Sequence, residues 1–123
     1  MALRPNGAGA QLLLLALLAR AGLAFEALNA LKPPCPTGPD IAQAIRAGRA
    51  DCGIATRSVA RAAGLNFVPI VWERFDITVR RRDYFRPPLQ ALLGFVRTEA
   101  FMARARELGG YDIADAGAVR YAP

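Results

Sequence analysis

Residues 32–39, "KPPCPTGP", cannot form a helix or a strand. Four of these eight residues are prolines, which lack an amide donor and fix the backbone angle φ. We therefore predict a loop here, which separates the first helical stretches of the chain from the next ones. Glycines at positions 22, 48, 64 and 109 each follow a segment with helical spacing of apolar residues, as expected at helix ends.

Between these breaks, helical and extended patterns alternate. Apolar spacing predicts helices over residues 10–21, 41–47, 57–63, 89–97 and 99–108, with a short helical stretch over 24–31. Thr37 or Asp40 is expected to cap the 41–47 helix. Strands are predicted at residues 1–3 and 50–55, and most strongly at residues 65–82, "LNFVPIVWERFDITVRRR", as two strands or one bent near Glu73. Residues 111–123 are predicted to be a loop. This alternation predicts an α/β architecture with mainly parallel pairing.

Composition excludes some functions and leaves others open. Of 123 residues, 54% are apolar, which is enough for a core in one domain or in part of a larger one. The net charge of +6 suits an acidic ligand, a nucleic acid or a membrane surface, and Lys32 is the only lysine. The absence of histidine excludes His-based triads and most zinc catalysis, so we predict no enzyme. Cys35 and Cys52 lack metal-site spacing and are expected to be free thiols.

Residues 4–24, "RPNGAGAQLLLLALLARAGLA", are open to two interpretations. A charged start and an apolar run are typical of a secretory signal. However, Pro5 to Gly7 and Gly9 interrupt the segment early, and Arg20 directly follows the apolar run. A glycine loop that leads into a buried helix is therefore favoured. Its inner face is predicted to carry Leu12, Leu15, Ala16 and Ala19.

The Gly7-Ala8-Gly9-Ala10 turn is the best candidate for a binding site. Glycines let a backbone approach a ligand closely, and the free amides at the start of the next helix favour an anion. The turn lacks the lysine of a phosphate-binding P-loop and the third glycine of a dinucleotide fingerprint. Two more helix starts, near Ile41 and Thr56, are expected at the same edge of a parallel sheet. The alternative is that these polar residues only cap their own helices.

Three consecutive arginines, Arg80–Arg82, suit a nucleic-acid surface. Acidic residues flank them, however, and no aromatic residues interleave with them, so a solvated strand end is the better interpretation. Trp72 is expected in the core rather than at a stacking platform.

Three stretches resemble a known family: "RPNGAGAQLLLLALLARAGL", "AIRAGRADCGIATRSVARAAGLNFVPIVWERFDI" and "ELGGYDIADAG". They are similar to the periplasmic-binding-protein-like domain, related to type II molybdate- and tungstate-binding proteins. In bacteria this domain often follows a helix-turn-helix DNA-binding domain in one-component regulators. The resemblance covers nearly the whole chain.

The resemblance implies a site as well as a fold. The family's opening motif is an arginine, a loop close to Gly-Ser-Gly-Thr and a leucine-rich helix. Ala8 and Ala10 replace both hydroxyl residues here, which retains backbone donors and loses side-chain donors. The implied ligand-binding residues are Arg4, Gly7, Ala8, Gly9, Ala10, Ile41 and Thr56. The implied ligand is a small anionic or polar molecule such as molybdate or tungstate, and no cofactor is expected.

Members of the family fold as two lobes with the ligand between them. The resemblance therefore implies a type II periplasmic-binding-protein-like α/β fold, with one complete lobe of parallel or mixed sheet flanked by helices. Residues 1–72 would form this second lobe, and residues 73–123 would return to a first lobe that is mostly missing. We expect the chain to be truncated, with the N-terminal lobe and a helix-turn-helix domain as the partners it has lost.

The implied function is a non-catalytic small-ligand-binding module, from the cytoplasmic sensor domain of a bacterial transcriptional regulator. Neither direct nucleic-acid binding by this segment nor membrane association is expected. One alternative is an exported, periplasmic solute-binding component of an ABC-type transporter, with a mature protein that begins near Phe25. The other is an arginine-rich nucleic-acid-binding protein.

Overall fold

The structure, a computed structural model, describes residues 1–120. Its helices are α1 (Gly9–Arg20), α2 (Gly38–Arg46), α3 (Arg57–Ala62), α4 (Arg81–Tyr84), α5 (Pro87–Phe95) and α6 (Glu99–Leu108), with one 3₁₀ turn at Phe25–Ala27. Contacts divide the chain into two units, Met1–Phe67 and Val68–Pro123. The lobe boundary after residue 72 stays a prediction.

The predicted sheet is absent from residues 1–120, so the α/β fold class is wrong for this structure. Ala2 and Gly53 form one isolated parallel bridge, and no strand is assigned around it. A β-strand is stable only where a neighbouring segment of chain forms backbone hydrogen bonds with it along its length. The segment beside Leu3 contains Pro33, Pro34 and Pro36, which have no amide to donate. The described residues are therefore helical and irregular.

Residues 1–3 nevertheless lie at the centre of the first unit. The Ala2 amide donates to the Cys52 carbonyl at 2.7 Å, and the Cys35 amide donates to the Leu3 carbonyl at 2.7 Å. Successive side chains of an extended segment point in opposite directions. Accordingly, Ala2 and Leu3 belong to two different apolar clusters.

These two clusters form the core of the first unit. One contains the buried residues Ala2, Cys35, Ile41, Ala44 and Ala50, contributed largely by α2 and its flanks. The other contains Leu3, Leu14 and Leu18, with Ile54 and Phe25 against it. Helix α1 thus contacts one side of the N-terminal segment and α2 the other.

The predicted inner face of α1 is wrong. The buried residues are Gln11, Leu14 and Leu18, whereas Leu12 and Leu15 are exposed. Leucine occupies most of the helix, so apolar spacing alone could not select a face. Gln11 lies on the buried face, where its side-chain oxygen accepts a hydrogen bond from the Arg4 amide at 3.2 Å.

Local helix signals were predicted more accurately. Helix α2 begins with a capping box in which Thr37 and Asp40 cap each other, so both candidate residues take part. Thr98 caps α6 through its hydroxyl, as expected for the helix predicted at 99–108. The helix predicted at 57–63 corresponds to α3, and the 24–31 stretch is reduced to the 3₁₀ turn.

The second unit contains little buried surface. Among its described residues, Ala105 alone is buried. Phe95 and Phe101 meet edge to face at 5.7 Å between ring centroids, and the Arg97 guanidinium donates to the Gly117 carbonyl at 3.1 Å. Residues 111–120 carry no helix or strand, as predicted, while the loop predicted for 121–123 lies outside the described residues.

The strands predicted at residues 65–82 do not form. Residues 65–80 carry no regular structure, and Arg81 and Arg82 begin α4 instead of ending a strand. Trp72 is 74% exposed, so its predicted place in the core is also wrong. The segment has the residues of a strand but no neighbouring strand within the described chain. None of the helices among residues 1–120 is long and apolar enough to cross a membrane.

Candidate functional site

Arg4 lies where the extended N-terminal segment turns toward α1. Its backbone amide donates to the Gln11 side chain, and Gln11 is only 3% exposed. This hydrogen bond joins Arg4 to the first turn of the helix. The Ala8 amide donates to the Pro5 carbonyl at 3.1 Å, which closes a turn inside the same loop. Arg4 and the start of α1 are therefore held together by the loop between them.

The Arg4 side chain contains an unsatisfied donor. Its Nε is buried and has no hydrogen-bond partner among residues 1–120. Arginine remains protonated and offers donors but no acceptor. Buried polar groups without partners are uncommon in native proteins, and each one calls for an explanation. The Nε is closed to solvent, so a bound ligand would supply an acceptor only by displacing the groups that cover it.

The start of α1 also offers free donors. Ala8 is the N-cap and supplies no side-chain cap. The amides of Gly9 and Ala10 find no acceptor among the described residues, because the first amides of a helix have no partner within it. Gly7 has φ of +85°, a turn that residues other than glycine rarely adopt. The Gly7–Ala10 segment is therefore a turn with two amides that lack acceptors, at the positive end of the helix dipole.

The start of α2 is occupied by its own side chains. The Thr37 amide and hydroxyl both donate to Asp40 Oδ2, at 2.9 and 2.5 Å. The Ile41 amide donates to the Thr37 carbonyl at 3.3 Å, and the Ile41 side chain is 1% exposed. Ile41 thus contributes to the core, and Asp40 places a carboxylate at this helix start. Whether Ile41 contacts a ligand stays a prediction.

Thr56 lies at the start of α3, which spans six residues. Its hydroxyl is 2.9 Å from the Ser58 hydroxyl and makes no capping hydrogen bond to the helix. The Ala2–Gly53 bridge is parallel, so Arg4 and Thr56 both follow the bridge in the same chain direction. The start of α2 contacts α3, because a Cβ on Gly38 would lie 3.2 Å from Val59 Cγ2. All three helix starts belong to the first unit, but the predicted sheet edge that would gather them is absent from residues 1–120.

Two features of the charged surface were not predicted. The Arg57 guanidinium lies over the Phe67 ring, 5.0 Å from its centroid. In the second unit, Arg82, Asp83 and Arg86 line an open depression of about 310 Å³. This depression lies among exposed side chains and contains no unsatisfied buried donor, so the Arg4 region remains the better candidate. No group of metal-ligating side chains occurs among residues 1–120.

The sequence predicted Arg4 and the glycine turn as ligand-binding residues, which stays a prediction, and Gln11 was not among the predicted residues. A single polar residue at the start of a leucine-rich helix was the available signal, because a buried amide side chain needs a hydrogen-bond partner. The unsatisfied Nε of Arg4 depends on three-dimensional burial and has no signature in the sequence.

A family model described as "PBP superfamily domain" matches residues 1–97. The "Uncharacterized protein in ferredoxin 2Fe-2S gene 5'region" of Clostridium pasteurianum is 24% identical over 80 residues, which cover 64% of this chain and 71% of that protein. The "Uncharacterized protein YvgK" of Bacillus subtilis (strain 168) is 28% identical over 71 residues, 58% of this chain. The matched region spans only 22% of that longer protein. No solved structure matches the chain significantly.

The family model extends from the N-terminal segment through α1, α2 and α3 and on to Arg97. It therefore includes every residue predicted to bind a ligand. A domain of this kind indicates a ligand-binding module. The chain belongs to the periplasmic-binding-protein-like (PBP) superfamily.

Proposed function

We propose that this chain binds a small oxyanion, of the molybdate or tungstate kind, through Arg4 and the start of α1. The observation that carries the proposal is the buried Arg4 Nε without a hydrogen-bond partner. An oxyanion would supply the acceptor that this donor lacks. The same ligand could accept from the amides of Gly9 and Ala10, which also lack acceptors.

Electrostatics favours an anion at this position. The Arg4 guanidinium carries a permanent positive charge, and the start of α1 adds the positive end of its dipole. Helix α1 has no acidic residue in its first turn, so no carboxylate of its own competes for these donors. By contrast, α2 carries Asp40 in its first turn. We therefore assign the ligand to the α1 side of the first unit.

We expect weak binding. Ala8 and Ala10 provide no hydroxyl donors, so the donors available from this loop are Arg4, the backbone amides and the exposed side-chain amide of Asn6. In a two-lobe binding protein the second lobe closes over the ligand and adds further contacts. Residues 1–67 alone would supply one side of such a site.

The biological role that we propose is ligand sensing in the cytoplasm, as part of a bacterial transcriptional regulator. Ligand-dependent closure on the N-terminal lobe would pass the signal to a helix-turn-helix domain, without chemical turnover of the ligand. The core of the first unit supports this role over export. Leu14 and Leu18 of α1 pack with Leu3, so removal of residues 1–24 as a signal would remove this whole buried cluster.

The binding proposal can be tested by NMR titration of amide-labelled protein with molybdate, tungstate and sulfate. We expect the Gly9 and Ala10 amide resonances to shift and to saturate with one of these anions. Arg4→Met should weaken this binding by about tenfold or more, because a hydrogen bond to a charged group contributes about 1.5–3 kcal/mol.

Arg20→Met is the matched control, since it removes the same charge from the opposite, exposed end of α1. It should leave the affinity within about twofold of the original. Equal weakening by both substitutions would show a general charge effect rather than a site. The absence of saturable shifts at Gly9 and Ala10 with all three anions would contradict the proposal.

A further inference from the structure

Residues 68–79, termed here the open segment, form an extended stretch with no hydrogen bonds. No backbone amide or carbonyl in this segment has a partner within the described chain, and neither have the side chains of Glu73, Arg74 and Asp76. Unpaired backbone of this kind is a template for pairing with another strand. The residues of the open segment favour that outcome, because β-branched and aromatic residues dominate it.

The apolar side chains of the open segment are also uncovered. Phe75 is 96% exposed, and the other large apolar residues are exposed as well: Val68, Ile70, Val71, Trp72, Ile77 and Val79. A group of exposed large apolar residues is characteristic of an interaction surface. In an extended conformation one face would carry Val71, Glu73, Phe75, Ile77 and Val79. The other face would carry Ile70, Trp72, Arg74, Asp76 and Thr78.

We propose that the open segment pairs antiparallel with the open segment of a second copy of this chain, with Phe75 opposite Phe75. This inference goes beyond ligand binding and depends on no ligand. In this register Arg74 of each copy lies opposite Asp76 of the other, which makes two cross-strand ion pairs. On the other face Val71 lies opposite Val79, Glu73 lies opposite Ile77, and the two Phe75 rings meet. Opposite charges and apolar or aromatic residues directly across a ladder stabilise it.

Charge patterning disfavours the neighbouring registers. A register centred on Glu73 places the two Glu73 carboxylates opposite each other. One centred on Ile77 places Arg74 opposite Arg80, again with like charges. Parallel pairing in register would place each charged residue beside the same residue of the second copy. Like charges directly opposite each other destabilise a ladder, so these registers are less favourable than the one centred on Phe75, which opposes Arg74 to Asp76 and places no like charges opposite each other.

Proline is compatible with this register. Pro69 has no amide to donate and lies two residues beyond the Val71–Val79 pair. The paired stretch therefore runs from residue 71 to residue 79 without a proline inside it. The second unit buries little surface, and strand pairing would cover apolar residues that the unit itself leaves exposed.

The test is sedimentation equilibrium over a wide range of protein concentrations. We expect the unmodified chain to show a reversible monomer–dimer equilibrium. Arg74→Asp and Asp76→Arg each place like charges opposite each other twice per dimer, so each should weaken dimerisation by about tenfold or more. Arg49→Asp, which reverses one charge on an exposed loop of the first unit, should leave the equilibrium unchanged.

Two further measurements separate pairing from misfolding. The double variant Arg74→Asp/Asp76→Arg restores both cross-strand pairs and should recover dimerisation. An equimolar mixture of the two single variants should form heterodimers, because every pair is then complementary. Recovery in both cases would establish the register. A chain that stays monomeric at its highest soluble concentration, as expected if the open segment pairs only with a separate N-terminal lobe, would overturn the proposal. So would dimers that do not respond to the charge substitutions.

Discussion

Gly53→Ala should destabilise the first unit, although it adds a single methyl group. A Cβ at position 53 would lie 2.5 Å from Ile41 Cγ2 and 3.1 Å from the Ala2 carbonyl oxygen. Carbon atoms in contact are normally about 3.5–4.0 Å apart, so Ile41 or the backbone would have to move by about 1 Å. Ile41 is 1% exposed and has no free space to enter. The carbonyl belongs to the bridged segment, whose movement would disturb the Ala2–Gly53 bridge.

Overfilling a core of this kind costs about 1–3 kcal/mol in the free energy of unfolding. For a unit of about 60–100 residues, each kcal/mol lowers the melting temperature by about 4–8 °C. We therefore expect thermal unfolding, followed by circular dichroism, to occur at least about 4 °C lower in Gly53→Ala. Adding Ile41→Leu moves the methyl branch from Cβ to Cγ, and so the double variant should recover part of the loss.

The matched control is Gly94→Ala, which adds the same methyl group to α5. Nothing lies within 4 Å of the new Cβ there. Alanine is favoured over glycine inside a helix by roughly 0.5–1 kcal/mol, so this variant should be slightly more stable. If Gly53→Ala unfolded at the same temperature as the unmodified chain, the close contact of Gly53 with Ile41 would be incorrect.

One further substitution tests the start of α1, and one chemical modification tests the burial of the two cysteines. Ala8→Ser should raise the free energy of unfolding by about 1 kcal/mol in urea titrations, because α1 lacks a side-chain cap and a serine hydroxyl provides one; an unchanged midpoint would argue against an uncapped start. Cys52 is exposed and Cys35 is buried, and both are free thiols. In the folded chain, a thiol reagent should therefore modify Cys52 quickly and Cys35 only after denaturant is added, whereas equal rates would contradict the placement of Cys35.

The elements that could be predicted are those whose signals are local. The capping box of α2 uses Thr37 and Asp40, three residues apart, and Thr98 lies directly before α6. In both cases the capping residues lie next to the helix start in the sequence. The predicted strands failed for the opposite reason. Their formation depends on a distant partner, and within the described chain residues 68–79 have none.

At residues 4–10 and the start of α1, local features could likewise be predicted from the sequence and features that depend on tertiary packing could not. The glycines and the helix start after Arg4 can be read from spacing, and the structure places Arg4 beside that helix. The buried face of α1 could not be read, because leucines surround most of the helix and Gln11 alone distinguishes one side. The resemblance to a two-lobe family correctly indicated the superfamily, but it also led to a sheet that residues 1–120 do not form.

The hydrogen bond between Arg4 and Gln11 has a consequence for the thermodynamics of binding. It closes residues 4–11 into a ring, which the Ala8–Pro5 turn subdivides again. A loop held at both ends has few alternative conformations to lose when a ligand arrives, so the entropic cost of ordering it is small. The free energy of binding at this loop would then be governed by the exchange of water for ligand oxygens. Gln11→Leu, by opening the ring, should make the same binding event depend on ordering the loop.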